Sequence, residues 1–149
     1  MEILNHLRTL LESLQKKSDA RTIMLMETTG QVICTVGRSA SEEQTAMASL
    51  IIGWGMAGKE LGKLMGETEH GMFTREGIDS HLITTFITSD MMLNVFVQNS
   101  AKLGLARFKI KQYQKLLQIL VERFKTEQQK HVNPLADISE EEVDQLLGF

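Results

Sequence analysis

Apolar residues recur along this chain in two rhythms. From Glu2 to Lys17 they fall at Ile3, Leu4, Leu7, Leu10, Leu11 and Leu14. That spacing of three and four lines one stripe of a helix. Ser18-Asp19 breaks it. Two short runs follow, Arg21–Glu27 and Gln31–Val36, rich in Ile, Val, Met and Thr, with Thr28-Thr29-Gly30 between them. This is the pattern of a β-hairpin. A second helix is predicted from Ser41 to about Met65. Ser41 suits its N-cap, Gln44 stands three residues on as a capping box requires, and Glu42 and Glu43 occupy the first turn.

Three further strands are predicted, at Glu69–Glu76, His81–Thr88 and Met91–Gln98, with turns at Gly77-Ile78-Asp79 and Ser89-Asp90. The last two are the most apolar, so they should be central. A long helix then runs from about Ser100 to Lys130. Its apolar face is read as Leu105, Phe108, Tyr113, Leu116, Leu117, Leu120, Val121 and Phe124, and Asn133-Pro134 stops it. Hairpins and meanders with segregated helices make an α+β domain. Here that means a five-stranded antiparallel sheet, with the second helix of the chain itself or of a partner copy on one face and the terminal helices on the other. The expected organisation is a body over residues 1–130, a linker over 131–136 and a tail over 137–149.

The second helix is odd inside. Gly53, Gly55, Gly58, Gly62 and Gly66 fall within it or at its end. An interior Gly costs about 1 kcal/mol relative to Ala, so the loss implies that another backbone comes close. Two readings stay open. The glycines pack on the chain's own sheet, or they line a helix contact across a dimer. The dimer reading names Ala48, Ile51, Trp54, Gly55, Gly58 and Gly62.

With 149 residues, 42% hydrophobic and 23% charged, the chain can bury a core. Its net charge of −3 conceals a polarity. Lys102–Lys130 carries eight bases against Glu122 and Glu127, for a local +6. The tail carries Asp137, Glu140, Glu141, Glu142 and Asp144 and no base. The single Cys34 excludes an internal disulfide and reads as a buried small hydrophobe. No apolar run reaches the roughly 18 residues of a membrane span, and no secretory pattern opens the chain, so the cytoplasm is expected.

Reaction chemistry is missing from the pattern. His6, His70, His81 and His131 lack metal-ligand spacing, and Glu67, Glu69 and His70 would make a weak site at best. No phosphate-binding loop or nucleophile elbow is present. No enzyme activity, cofactor or metal is expected. The basic helix lacks a nucleic-acid motif, so a solvated face is the expectation there.

The element order resembles the roadblock / dynein light chain family. Met24-Leu25-Met26-Glu27-Thr28-Thr29-Gly30-Gln31-Val32-Ile33 is similar to its opening hairpin. Ala46-Met47-Ala48-Ser49-Leu50-Ile51-Ile52 resembles its Ala-rich central helix. Leu93-Asn94-Val95-Phe96-Val97 with Ala101-Lys102-Leu103-Gly104-Leu105-Ala106-Arg107 resembles its last strand and the start of its closing helix. The resemblance implies a non-enzymatic homodimeric adaptor, with central helices side by side and edge strands joined. Its bacterial MglB-like branch implies a small Ras-like GTPase as partner.

The tail reads as a short helix. Ser139 is its N-cap, Glu142 the capping-box partner, and Ile138 with Val143 a hydrophobic staple. Val143, Leu146 and Leu147 form an apolar edge. So short a helix is marginal alone in water. A partner groove, the chain's own basic helix, or nothing at all could cover the edge. Ile138–Leu147 resembles the CheY-binding helices of the FliM and CheZ families, and Val143–Phe149 the CheZ ending. That implies a receiver-domain partner held by Ile138, Ser139, Glu142, Val143, Leu146, Leu147 and Phe149. A scaffold in a chemotaxis or motility complex without a GTPase is the alternative.

Overall fold

A computed structural model describes residues 2–38, 41–67 and 71–132, and residue 145, the side chains of 41–43 and 130–132 apart. The elements are α1 (Glu2–Ser18), β1 (Thr22–Glu27), β2 (Val32–Gly37), α2 (Ser41–Leu64), β3 (Met72–Glu76), β4 (His81–Thr88), β5 (Met91–Val97), a 3₁₀ turn at Ser100–Lys102, and α3 (Leu103–Val132). The five strands form one antiparallel sheet in the order β2-β1-β5-β4-β3. The expected α+β roadblock-like sandwich is the fold found. β5 sits at the centre with β4 beside it.

Side chains alternate between the two sheet faces, so β1 and β5 are buried on both. Ile23 and Leu25 face one way with Leu93, Val95 and Val97. Leu7, Leu11 and Leu14 of α1 cover them, together with Leu103, Ala106, Ile110, Leu117, Val121 and Phe124 of α3. Each fully buried Leu or Ile there contributes about 1.5–3 kcal/mol. The Ser13 and Tyr113 hydroxyls, 2.8 Å apart, tie α1 to α3. Met24, Met26, Phe86 and Met92 face the other way, under Ala48 and Ile51 of α2.

One polar pair interrupts this second layer. The Thr84 hydroxyl donates to Asn94 Oδ1 at 2.9 Å, and Asn94 Nδ2 donates to the Met24 carbonyl at 3.4 Å. Both side chains are fully buried, and a buried amide is tolerated only when so paired. Cys34 lies in the core as expected. Burial pushes its thiol up; Arg8 opposes this and Glu12 adds to it.

Element ends follow local chemistry. Asp19, at φ +56°, breaks the chain out of α1. Gly37 has φ +88°, and a Cβ there would lie 2.2 Å from the Arg21 carbonyl oxygen, so only Gly fits at the end of β2. A 3₁₀ turn precedes α3 where sequence predicts continuous helix. Asn99 caps it, its side chain accepting from the Ala101 amide at 3.0 Å. At the first turn of α2, the 41–43 side chains of the expected capping box lie outside the described residues. Gln44 does not fold back to the cap; it donates to the Thr35 hydroxyl on β2. The start expected for β3 at Glu69, the 133–136 linker and the tail lie outside the described residues too, residue 145 excepted.

The closing helix needs a larger correction. Leu105, Phe108 and Leu116, assigned to its core face, are 37%, 56% and 48% exposed. The true inner line runs through Leu103, Ala106, Ile110, Leu117, Val121 and Phe124. The helix carries two apolar faces, and the larger residues of its first half mark the outer one.

Candidate functional site

The Gly-rich α2 lies across β5, β4 and β3; Gly55 and Gly58 accommodate side chains from that sheet, and Gly62 faces Glu67 just after the helix. A Cβ at Gly55 would sit 2.1 Å from Met92 Cε, one at Gly58 2.8 Å from the Phe73 ring, and one at Gly62 2.9 Å from Glu67 Oε2. Ala48 and Ile51 are buried on the same inner face. Trp54 meets Phe73 edge-on at 6.3 Å between ring centres. Close packing on the chain's own sheet is thus found at Gly55 and Gly58, and Ala48 and Ile51 are buried beside them. Lys59 pins the layer further. It donates to the Ser89 carbonyl at 3.2 Å and stands 5.0 Å over the Phe86 ring.

The opposite face of α2 is open and also apolar. Leu50 is 75% exposed, Leu61 58%, Leu64 87% and Met65 68%. Exposed Ala46, Gly53 and Ala57 continue the line. Residues 46, 50, 53, 57, 61 and 64 are spaced by three and four, so they form one straight stripe. A Cβ at Gly53 would meet nothing within 4 Å. Small residues alternating with leucines suit a second helix lying close.

This stripe continues toward an open sheet edge. The Gly58–Phe73 contact sets the second half of α2 beside β3, the last strand in the sheet. Among the described residues nothing pairs with the outer side of β3. Arg107 of α3 holds the Thr74 hydroxyl of β3 from one layer, while the other edge strand, β2, is attended from both. Arg8 donates to the Thr35 carbonyl at 3.3 Å, and Gln44 holds the Thr35 hydroxyl. The Trp54 indole N–H is buried with no acceptor among the described residues.

Among the described residues no group of three His, Cys, Asp or Glu could hold a metal ion; Glu69 and His70 lie outside them. His81 is buried, its Nδ1 without a partner among the described residues. Lys125 of α3 donates to Asp90 in the β4–β5 turn. That bond leads the groups that hold the carboxyl below its usual range, burial opposing it and Thr88 assisting. No helix among the described residues is long and apolar enough to cross a membrane.

No protein-family model matches the chain, and no curated protein does. Solved structures do. Myxococcus xanthus MglB is 30% identical, with a TM-score of 0.74 over 83% of this chain and 92% of its own. This chain belongs to the MglB family. The gliding protein MglB of Thermus thermophilus shares the fold at 20% identity, with a TM-score of 0.74 over 83% of this chain and 93% of its own. A roadblock/LC7 domain of Streptomyces avermitilis, 16% identical, has a TM-score of 0.52 over 73% and 95%. The MglB-family body is thus a roadblock fold, as its hairpin, Ala-rich helix and closing strand imply. The tail residues Ile138, Ser139, Glu142, Val143, Leu146, Leu147 and Phe149 lie outside the described residues.

The open α2 stripe is an exposed apolar surface that the sequence reading did not single out. Its spacing was visible in Ala46, Leu50, Ala57, Leu61 and Leu64.

Proposed function

We propose that this MglB-family chain is a non-enzymatic homodimeric regulator of a small Ras-like GTPase. The exposed stripe from Ala46 to Leu64 beside the unpaired edge of β3 carries the reading. Two copies laid antiparallel, α2 on α2 and β3 on β3, would cover the leucines and join two sheets into one. Arg75 and Glu76 are exposed on β3 and would face their counterparts across the junction. No side chain among the described residues is poised as an acid, base or nucleophile, so the chain would act by holding its partner's own catalytic loops.

Purified full-length protein added to the small Ras-like GTPase of the same cell will change its rate of GTP hydrolysis or of nucleotide exchange. Single-turnover hydrolysis and fluorescent-nucleotide release measure the two. Unchanged rates in both assays, with the GTPase shown to be loaded and active, would reject the regulator and favour a scaffold in a motility or chemotaxis complex.

A receiver domain is the second partner we infer, for the tail. The similarity of Ile138–Leu147 to CheY-binding helices supports it. About four apolar side chains would contribute roughly 1.5–3 kcal/mol each, much of it offset by ordering the segment. An affinity on the order of micromolar results. Changing Leu146 and Leu147 to Asp in the full chain will abolish binding to a phosphorylated receiver in titration calorimetry and leave the oligomeric state intact. Equal affinity for both proteins would remove the receiver from the account.

A further inference from the structure

α3 carries an outward apolar line that no described residue covers. Leu105, Phe108, Leu116 and Ile119 are 37%, 56%, 48% and 40% exposed, spaced by three and four about Gln112. Lys109 and Lys115 flank this line, and Arg123 extends it toward Val132. The segment that follows has the complementary character. Residues 137–149 hold five carboxylates, no base and the apolar Val143, Leu146 and Leu147. We propose that this acidic segment docks on the outer face of its own α3, seating Val143, Leu146 and Leu147 against Ile119 and Leu116.

Reach selects which part of the line it can use. At about 1.5 Å per helical residue, Ile119 lies roughly 20 Å back from Val132, Leu116 roughly 24 Å and Phe108 roughly 36 Å. Asn133 to Asp137 extends at most about 17 Å, and a helix onward to Leu146 adds about 13 Å. The segment therefore reaches Ile119 and Leu116 after doubling back and falls short of Phe108. Pro134 suits the reversal, because it cannot continue α3. Charge favours the same arrangement. Within reach, Lys115–Lys130 carries four bases against Glu122 and Glu127, a net +2, and residues 137–149 are −5; opposite charges a few ångströms apart lie within the roughly 8 Å screening length at physiological salt. The inference goes beyond the GTPase reading and holds whether or not a receiver is the segment's other partner. A receiver that binds the same leucines would first have to lift them off.

Hydrogen exchange on the full chain tests it. Amides of residues 141–147 will exchange about tenfold slower or more than in a peptide of residues 133–149, since so short a helix has no protection alone. Leu116→Asp with Ile119→Asp will return them to the peptide rate. Leu117 and Val121 amides, read in the same experiment, report whether α3 is intact. Phe108→Asp will leave the protection unchanged. Glu140, Glu141 and Glu142 changed together to Gln, a variant that leaves α3 untouched, will also reduce it. Peptide-like exchange in the unaltered chain overturns the proposal. So does protection that survives both the Leu116/Ile119 and the Gln variants, which assigns the cover to another surface. Protection lost on Phe108→Asp alone places the dock beyond the reach of its own chain and overturns it equally.

Discussion

Leu50→Asp with Leu61→Asp will convert the protein to a folded monomer. Both side chains are mostly exposed within one copy, at 75% and 58%, and such surface changes usually alter folding stability by no more than about 0.5 kcal/mol. In the proposed dimer each copy covers two of these leucines. Four burials at about 1.5 kcal/mol, the low end for a leucine, come to about 6 kcal/mol, and each 1.4 kcal/mol is a factor of ten. The dissociation constant should rise by roughly 10⁴-fold, before the cost of placing carboxylates in an apolar seam is added. Sedimentation velocity over a concentration series reads the change, and circular dichroism confirms the fold. A dimer as tight as the unaltered protein would place the contact elsewhere. Changing Ala48 or Gly55 is no substitute test, because both are buried inside the chain.

That distinction marks where the sequence is readable and where it is not. The switch from helical to alternating spacing located the five strands and the helices α1, α2 and α3 to within a few residues, because Leu7, Leu11 and Leu14 cannot line a strand and Ile23 and Leu25 cannot line a helix stripe. The sheet's central strand was legible for a related reason: β5 has no exposed residue to spare on either face. The direction in which each helix faces was less legible. α2 and α3 are apolar on two sides, and periodicity alone gives no sign of which side turns inward. In α3 the small Ala106 and the Ile110 line go in and Phe108 goes out, against the expectation set by size. In α2 Gly55 and Gly58 go in, because Met92 and Phe73 need the room, while Gly53 stays out. Whichever apolar side is left over becomes the exposed one.

Phe86→Ala will lower folding stability by about 3–5 kcal/mol, the usual cost of emptying a buried aromatic site. Phe86 is fully buried in the α2-side layer with Met24, Met26 and Met92. Its ring meets Phe73 edge-on at 6.4 Å between centres and lies under the Lys59 ammonium. Its loss leaves a cavity directly beneath the Gly55–Lys59 turn. Against a total of about 5–15 kcal/mol for a domain, urea denaturation should show a large fall in midpoint. The methionines around the site are flexible and can close part of the void, which places the effect toward the lower end of the range. A loss below about 1 kcal/mol would mean that the layer repacks fully and that α2 is not held by this ring. Because α2 also carries the exposed leucines, a loosened seat should weaken self-association as well. The two measurements made on one variant tell whether the inner and outer faces of that helix are coupled.

The unequal edges of the sheet bear on how far assembly can run. Arg8 occupies a carbonyl of β2 from the α1 side while the far strand keeps its outer groups unpaired among the described residues. A ribbon adhesive along both margins would take on copies without limit and grow into filaments. In the proposed dimer, joining the two open margins leaves only the β2 margins at the ends of the sheet, and a further strand added there would have to displace Arg8 from the Thr35 carbonyl.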